Sequence, residues 1–190
     1  MLTCRSVLPA PTVALLALVM LVCTASAQDD PSVRIASAET QLDGEVYTLN
    51  ADLEYALGTE PMEALANGVP IVFELQIEVR EPRRLLPDAN LASLRQRYRF
   101  KYLSLTQRYL VTNLNTNERN SFRLQQEALE FLGRIRDLPI LDRALLDSRK
   151  AYLVRMRAIL DIESLPAPLR LLAYLSSQWR ISSEWAEWPL

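Results

Sequence analysis

Apolar and polar side chains alternate strictly over two stretches in the first half of the chain. Between Glu45 and Leu57, Tyr47, Leu49, Ala51, Leu53, Tyr55 and Leu57 are apolar, while Asn50, Asp52 and Glu54 fall between them. From Ile71 to Arg80, the apolar positions Ile71, Phe73, Leu75, Ile77 and Val79 alternate with Glu74, Gln76, Glu78 and Arg80. A period of two sends successive side chains to opposite faces of an extended backbone, so each stretch predicts a strand with one buried face. Between them, Pro61 to Asn67 predicts a short helix. Thr59 or Glu60 opens it, and Gly68 stops it in the left-handed conformation.

Further on, a turn and a short helix are predicted around Asp88 to Gln96. Tyr98, Phe100 and Tyr102 then alternate with Arg97, Arg99 and Lys101. This third half-buried strand runs through Tyr109 and Val111 with a bend near Ser104. Asn113 to Asn120 is turn-forming. Ser121 is placed to cap a helix whose stripe is Leu124, Ala128, Phe131, Leu132 and Ile135, with Gly133 inside it and Pro139 beyond its end. Ala151 to Ile162 alternates again, with Tyr152, Val154, Met156, Ala158, Leu160 and Ile162 on one side. Pro166 and Pro168 open a last helix through Leu175, and Trp179, Ile181, Ser183 and Trp185 suggest a terminal strand. These elements predict an α+β fold: a single domain with an antiparallel twisted sheet or β-sandwich of about six or seven strands and three or four short helices.

The first 27 residues read as a leader. Arg5 is its only charge, Val13 to Val22 is uninterrupted apolar sequence, and Ala25-Ser26-Ala27 is a small-x-small cleavage site before Gln28. The apolar run falls short of the roughly 20 residues that a spanning helix needs. The reading is a signal peptide at 1–27 and one domain at 28–190, exported to the periplasm or secreted; the alternative is an uncleaved signal anchor in the inner membrane. A lipoprotein site at Cys23 is disfavoured, because Val22 stands where a small residue is required.

Composition narrows the chemistry. The chain has no histidine, and its two cysteines, Cys4 and Cys23, both lie in the leader. The usual neutral-pH base, thiol nucleophiles and zinc ligation are therefore missing from the domain. None of the four glycines belongs to a phosphate-binding loop. No cofactor, no metal site and no catalytic residue is expected. Carboxylates remain: Asp52 with Glu54, and Glu74 with Glu78, are spaced as acid–base pairs of glycan cleavage could be, although a solvated sheet face with cross-strand ion pairs explains them better. Neither Lys101 nor Lys150 stands in a Ser-x-x-Lys pattern. Asn113, Asn115 and Asn117 have the spacing of a calcium loop, but Leu124 occupies the closing position, so a hairpin connection is expected.

The formal net charge is −2, which argues against general nucleic-acid binding. Two surface features stand out within that balance. Arg97, Arg99 and Lys101 form a basic stripe, extended by Arg155 and Arg157 if their strands are neighbours; ion pairing with Glu74 and Glu78 is the simpler account of it. Trp179 and Trp185 share a strand phase and are assigned to the core. Trp188, out of phase near the end, is the candidate docking contact. The expected function is a non-enzymatic periplasmic domain that binds or scaffolds an envelope protein, by strand pairing or through the basic stripe; peripheral membrane contact is a further candidate. The alternatives are a lipid- or glycan-binding carrier and, behind it, a carboxylate-only hydrolase.

Several stretches, in order, resemble the domain-of-unknown-function 4390 family of exported proteins from Gram-negative bacteria. They are Ala64-Leu65-Ala66-Asn67-Gly68-Val69-Pro70, the aromatic run from Tyr98 to Val111, and Glu127-Ala128-Leu129 with Leu132-Gly133. Leu165 to Leu171 and Trp179 to Trp188 complete the set. The resemblance implies export and a single domain, and it brings no catalytic or binding residue.

Overall fold

The computed structural model describes residues 31–83 and 87–190. The leader and its cleavage site at Ala25, Ala27 and Gln28 lie outside the described residues. β1 (Ser32–Asp43) and β2 (Val46–Ala56) form a hairpin, followed by α1 (Thr59–Ala66) and β3 (Ile71–Glu81). β4 (Ala89–Leu103), β5 (Arg108–Asn113) and β6 (Arg119–Phe122) form a meander that leads into α2 (Gln125–Gly133) and β7 (Arg134–Asp142). β8 (Leu153–Leu160), α3 (Ala167–Leu175) and β9 (Ala186–Pro189) complete the chain. All strand pairing is antiparallel, in a three-stranded sheet ordered β1-β2-β7 and a six-stranded sheet ordered β6-β5-β4-β3-β8-β9. No helix among the described residues is long and apolar enough to cross a membrane.

The two alternating stretches form β2 and β3 as their pattern predicts. Ile71, Phe73, Leu75, Ile77 and Val79 are buried on β3, and Leu49, Ala51 and Leu53 on β2. They share one hydrophobic cluster with Val154, Met156, Ala158 and Leu160 of β8 and with Ala128 and Leu132 of α2. Phe73 receives Tyr55 edge-on, with ring centroids 4.8 Å apart. This single core draws on both sheets, so the chain is an antiparallel α+β fold with nine strands and three α-helices among the described residues. α1 ends at Asn67, and Gly68 takes φ +78°, the left-handed stop its position predicts.

The structure corrects the pattern elsewhere. Asp88 to Gln96 contains no helix: from Ala89 onward it is strand β4, with Leu94 opposite Ile77 and Arg95 opposite Gln76. Its Ala, Leu, Arg and Gln are good helix formers, but pairing along all of β3 overrides local preference. The strand through Tyr109 is not one bent strand but a hairpin, β4 and β5, joined at 104–107. Asn113 behaves as a turn residue, its Oδ1 accepting from the backbone N–H groups of Asn115 and Thr116. Ser121 caps nothing: it lies in β6, and the helix starts after Leu124, whose N–H donates to the Glu127 carboxylate. Ile135 and Pro139 belong to β7, an edge strand whose alternation is broken at Asp137, φ +49°, and by two register shifts. β1 lacks a clean period because a bulge interrupts it between Ile35 and Ser37. The terminal strand begins only at Ala186; Trp179 closes a 3₁₀ turn, and Ser182 makes a single bridge to Ile159.

Candidate functional site

The outward face of the six-stranded sheet gathers most of the residues that the sequence singled out. Odd positions of β3 fill the core, so its even positions point away from it, together with the odd positions of β4 and β8. Register then sets cross-strand rows. Arg95, Gln76 and Arg157 form one row, Ser93, Glu78 and Arg155 the next, and Arg119, Thr112 and Arg99 a third toward β6. β3 therefore separates β4 from β8. The basic stripe of Arg97, Arg99 and Lys101 is not continued directly by Arg155 and Arg157, since Glu74, Gln76 and Glu78 run between them. The six strands still carry nine basic side chains against four acidic ones, in a chain whose formal net charge is −2.

Much of this charge is neutralised locally. Glu78 receives Arg80 at 2.9 Å and Arg155 at 2.8 Å. Burial alone would raise its pKa, but the hydrogen bonds and charges of Arg155 and Arg80 outweigh that and hold the carboxyl below its ordinary value. Glu74 is only 8% exposed. Its Oε1 accepts from Gln76 at 2.7 Å, and Arg95 and Arg97 approach to 3.8 Å. Arg97 also reaches Asp161 at 2.8 Å. So Glu74 is a buried anchor, where the alternation predicts a solvated side chain. Arg99, Lys101 and Arg119 make no ion pair with a described residue, and Arg99 and Arg119 are exposed.

The tryptophans pack otherwise than their phase suggests. Trp188 is half-buried: its ring packs on the core, and its indole N–H donates to Thr40 Oγ1 at 2.6 Å. Trp185 is the one outside the core cluster. The guanidinium carbons of Arg155 and Arg157 stand 4.1 and 4.7 Å from its ring centroid. Its alternation with Trp179 and Ile181 conceals this, because the chain between them is irregular. The sequence pattern also passes over Arg95, although it continues the odd-numbered series of Arg97, Arg99 and Lys101 by one step.

The carboxylate pairs lie on different sheets. Glu74 and Glu78 are four residues apart on one strand, about 13 Å, beyond the separation used in glycoside hydrolysis. Asp52 and Glu54, on β2, are each held by a guanidinium. Asp52 bonds Arg136 at 2.6 Å and Ser37 at 3.1 Å, and Glu54 pairs with Arg34. The hydrogen bond from Arg136 keeps the Asp52 carboxyl below its ordinary pKa, the opposite of what a general acid requires. A cleft of about 510 Å³ opens between β7 and the β4–β6 meander, lined by Tyr98, Phe131, Asn113, Asn120, Arg134 and Asp137 among others.

No curated protein and no solved structure matches the chain. A family model described as a domain of unknown function (DUF4390) matches residues 30–189, a span that holds every strand and helix described above. The chain belongs to the DUF4390 family.

Proposed function

We propose that the protein is an exported, non-enzymatic domain that binds an acidic protein partner in the cell envelope through the outward face of its six-stranded sheet. One observation carries the reading: Arg99, Lys101 and Arg119 lie together, without an ion-pair partner among the described residues, on the basic face of a chain that is acidic as a whole. A cluster of uncompensated cations attracts an acidic surface and speeds its encounter. Trp185, packed against the guanidinium groups of Arg155 and Arg157, adds a rigid aromatic surface on the β8 side of the same face. The two sheets are read as the layers of a sandwich, a description supported by their common core.

The test is a photocrosslinking residue placed at Ser93, on the same face, in cells that express the full chain. The expected product is a discrete acidic partner whose yield collapses when Arg99, Lys101 and Arg119 are reversed to Glu, and falls as salt is raised. Crosslinks that ignore both changes would overturn the assignment. N-terminal sequencing of the same material should begin at Gln28; an intact Met1 chain in the membrane would replace the cleaved leader with the signal anchor.

A second reading, a glycan carrier, is favoured by the cleft beside β7. Its volume falls within the range of small-molecule sites, and Tyr98 and Phe131 with Asn113 and Asn120 combine ring faces with amides suited to sugar hydroxyls. Calorimetric titration with peptidoglycan fragments should then show binding that Tyr98→Ala removes.

A further inference from the structure

β4 outruns its neighbour. It pairs with β3 from Ala89 to Phe100, but β5 pairs with it only from Tyr98 to Leu103, because the meander turns away after Asn113. From Ala89 to Gln96, the side of β4 away from β3 therefore has no strand partner among the described residues. The phase of the ladder fixes which groups face that open side. Arg97 turns both its backbone groups toward β5: its C=O accepts from the Leu114 N–H at 2.7 Å, and its N–H donates to Asn115 Oδ1 at 2.9 Å. Backbone groups repeat this direction every second residue, so those of Arg95 and Ser93 face the open side, while those of Leu94 and Gln96 face β3. The register with β3 shifts only at Leu91, beyond this run.

A side chain already occupies the first position of the missing strand. The Asn115 amide accepts from the Arg97 N–H and donates to the carbonyl of Arg95 at 3.0 Å, the pair of bonds that a neighbouring strand makes with its backbone. Its own N–H, donating to Asn113 Oδ1, holds it there. Beyond it, the N–H of Arg95 and both backbone groups of Ser93 have no hydrogen-bond partner among the described residues. The outer edges of the two sheets are defended otherwise: β1 is bulged, β7 carries Pro139 and two register shifts, and β6 and β9 are four residues long. The notch in β4 has neither a bulge nor a proline between Ala92 and Gln96.

We propose that this notch takes an extended segment of the acidic partner, which adds a strand to β4 in line with β5. The inference rests on the acidic-partner reading and specifies how that partner's chain is held. Unpaired N–H and C=O groups spaced along a strand are complementary to another extended backbone, and this selects the occupant over a small ligand or a folded surface. Register gives its chemistry. On the core side the added residues meet Ala92 and Leu94, which are partly buried against the core, so they are apolar. On the outward side, one residue extends the row of Arg95, Gln76 and Arg157, so it is acidic. The Arg95 side chain is 67% exposed and comes no closer than 3.8 Å to Glu74, which leaves it free to turn to a new carboxylate. Asp88, before the strand begins, and Glu118, beside β6, stand at the two ends of the notch and not at this position.

The experiment is amide hydrogen exchange on the chain from Gln28 onward, which holds every element and the whole core described here, with a capped peptide of alternating valine and glutamate as the probe. In the free chain, the Ser93 and Arg95 amides should exchange faster than those of Leu94 and Gln96. Peptide at about ten times its Kd should slow Ser93 and Arg95 about tenfold by mass action, with Leu94 least affected. A valine–lysine peptide should give no such protection, and Arg95→Glu should reverse the preference. Ser93→Pro removes a donor that the β3 ladder does not use, so it should keep the fold and lose the peptide; if it fails to fold, Arg95→Glu carries the test. Three results would each overturn the inference. Ser93 and Arg95 amides as protected as Leu94 in the free chain would mean that the edge is already covered, by β7, which passes near β4, or by a second copy. The others are no protection by either peptide and equal protection by both. Arg99, Lys101 and Arg119 are untouched in this test, so an empty notch and a failed crosslink at the basic face are separate outcomes.

Discussion

Gly133 ends α2 directly against the backbone of β2: a Cβ at this position would stand 2.1 Å from the carbonyl oxygen of Leu53. The obstacle is backbone of a strand paired on both sides, by β1 and by β7, so it has little room to yield. In sequence, glycine at this point reads as a weakness in the helix; in the fold it is what lets helix and strand touch. Gly133→Ala should therefore destabilise the domain by about 1–3 kcal/mol or more, as overpacking does. Gly68→Ala is the comparison. Nothing lies within 4 Å of its added Cβ, but φ is +78°, so the cost should be about 1–2 kcal/mol from backbone strain alone. Denaturant melts of both variants measure the difference, and a neutral Gly133→Ala would contradict the close approach.

Adjacent residues on β3 separate packing from charge. Leu75 is 1% exposed in the shared core, and truncation to alanine should cost about 2–5 kcal/mol. Glu74, facing the other way, reads in the sequence as a solvated side chain worth about 1 kcal/mol or less. Its burial and its bond from Gln76 raise that expectation to about 1–3 kcal/mol for Glu74→Ala, since Gln76 loses its acceptor and Arg95 and Arg97 lose a nearby counter-charge. Glu74→Gln should recover part of the loss by keeping an acceptor in place. Urea melts of the three variants test the order; a Glu74→Ala loss equal to that of Leu75→Ala would make the carboxylate a structural centre of the face.

What is legible in the sequence follows from where alternation survives folding. β2, β3 and β8 each bury one face without interruption, so their period is clean. α1 and α3 carry their own punctuation in Gly68, Pro166 and Pro168. β1 and β7 are edge strands with bulges, and a single extra residue reverses the phase of everything after it. β4 is hidden for another reason: its first half has helix-forming composition, and only pairing with β3 makes it extended. The basic face is half visible. Arg97, Arg99 and Lys101 announce themselves in one strand, but the placement of β3 between them and Arg157 depends on strand order, which no local pattern encodes. The pattern interchanges Trp185 and Trp188 for a related reason, because their phase depends on the irregular run between Trp179 and β9.

The Tyr55 hydroxyl gives the last prediction, from a polar atom with nothing to hold. It is buried and has no hydrogen-bond partner among the described residues, while its ring makes the edge contact with Phe73. A desolvated hydroxyl opposes folding and the ring favours it, so the two contributions can be separated by mutation. Tyr55→Phe keeps the ring and should leave stability unchanged or raise it by up to about 1 kcal/mol. Tyr55→Ala removes the ring as well and should cost about 3–5 kcal/mol. The alkaline limb adds an independent readout. Burial, helped by the neighbouring Tyr98, pushes the phenol well above its ordinary 10.0, so the folded chain keeps a proton that the unfolded chain releases. The contribution is intact below pH 10 and is lost as pH rises beyond it, because ionisation then favours the unfolded state. Tyr55→Phe removes that dependence, leaving a shallower decline from Tyr98, whose phenol is also raised by burial. Urea melts between pH 8 and pH 11 should thus converge on a more alkali-resistant variant. If Tyr55→Phe instead loses more than about 1 kcal/mol at neutral pH, the hydroxyl is bonded to an internal water, and the core beside Phe73 is wet.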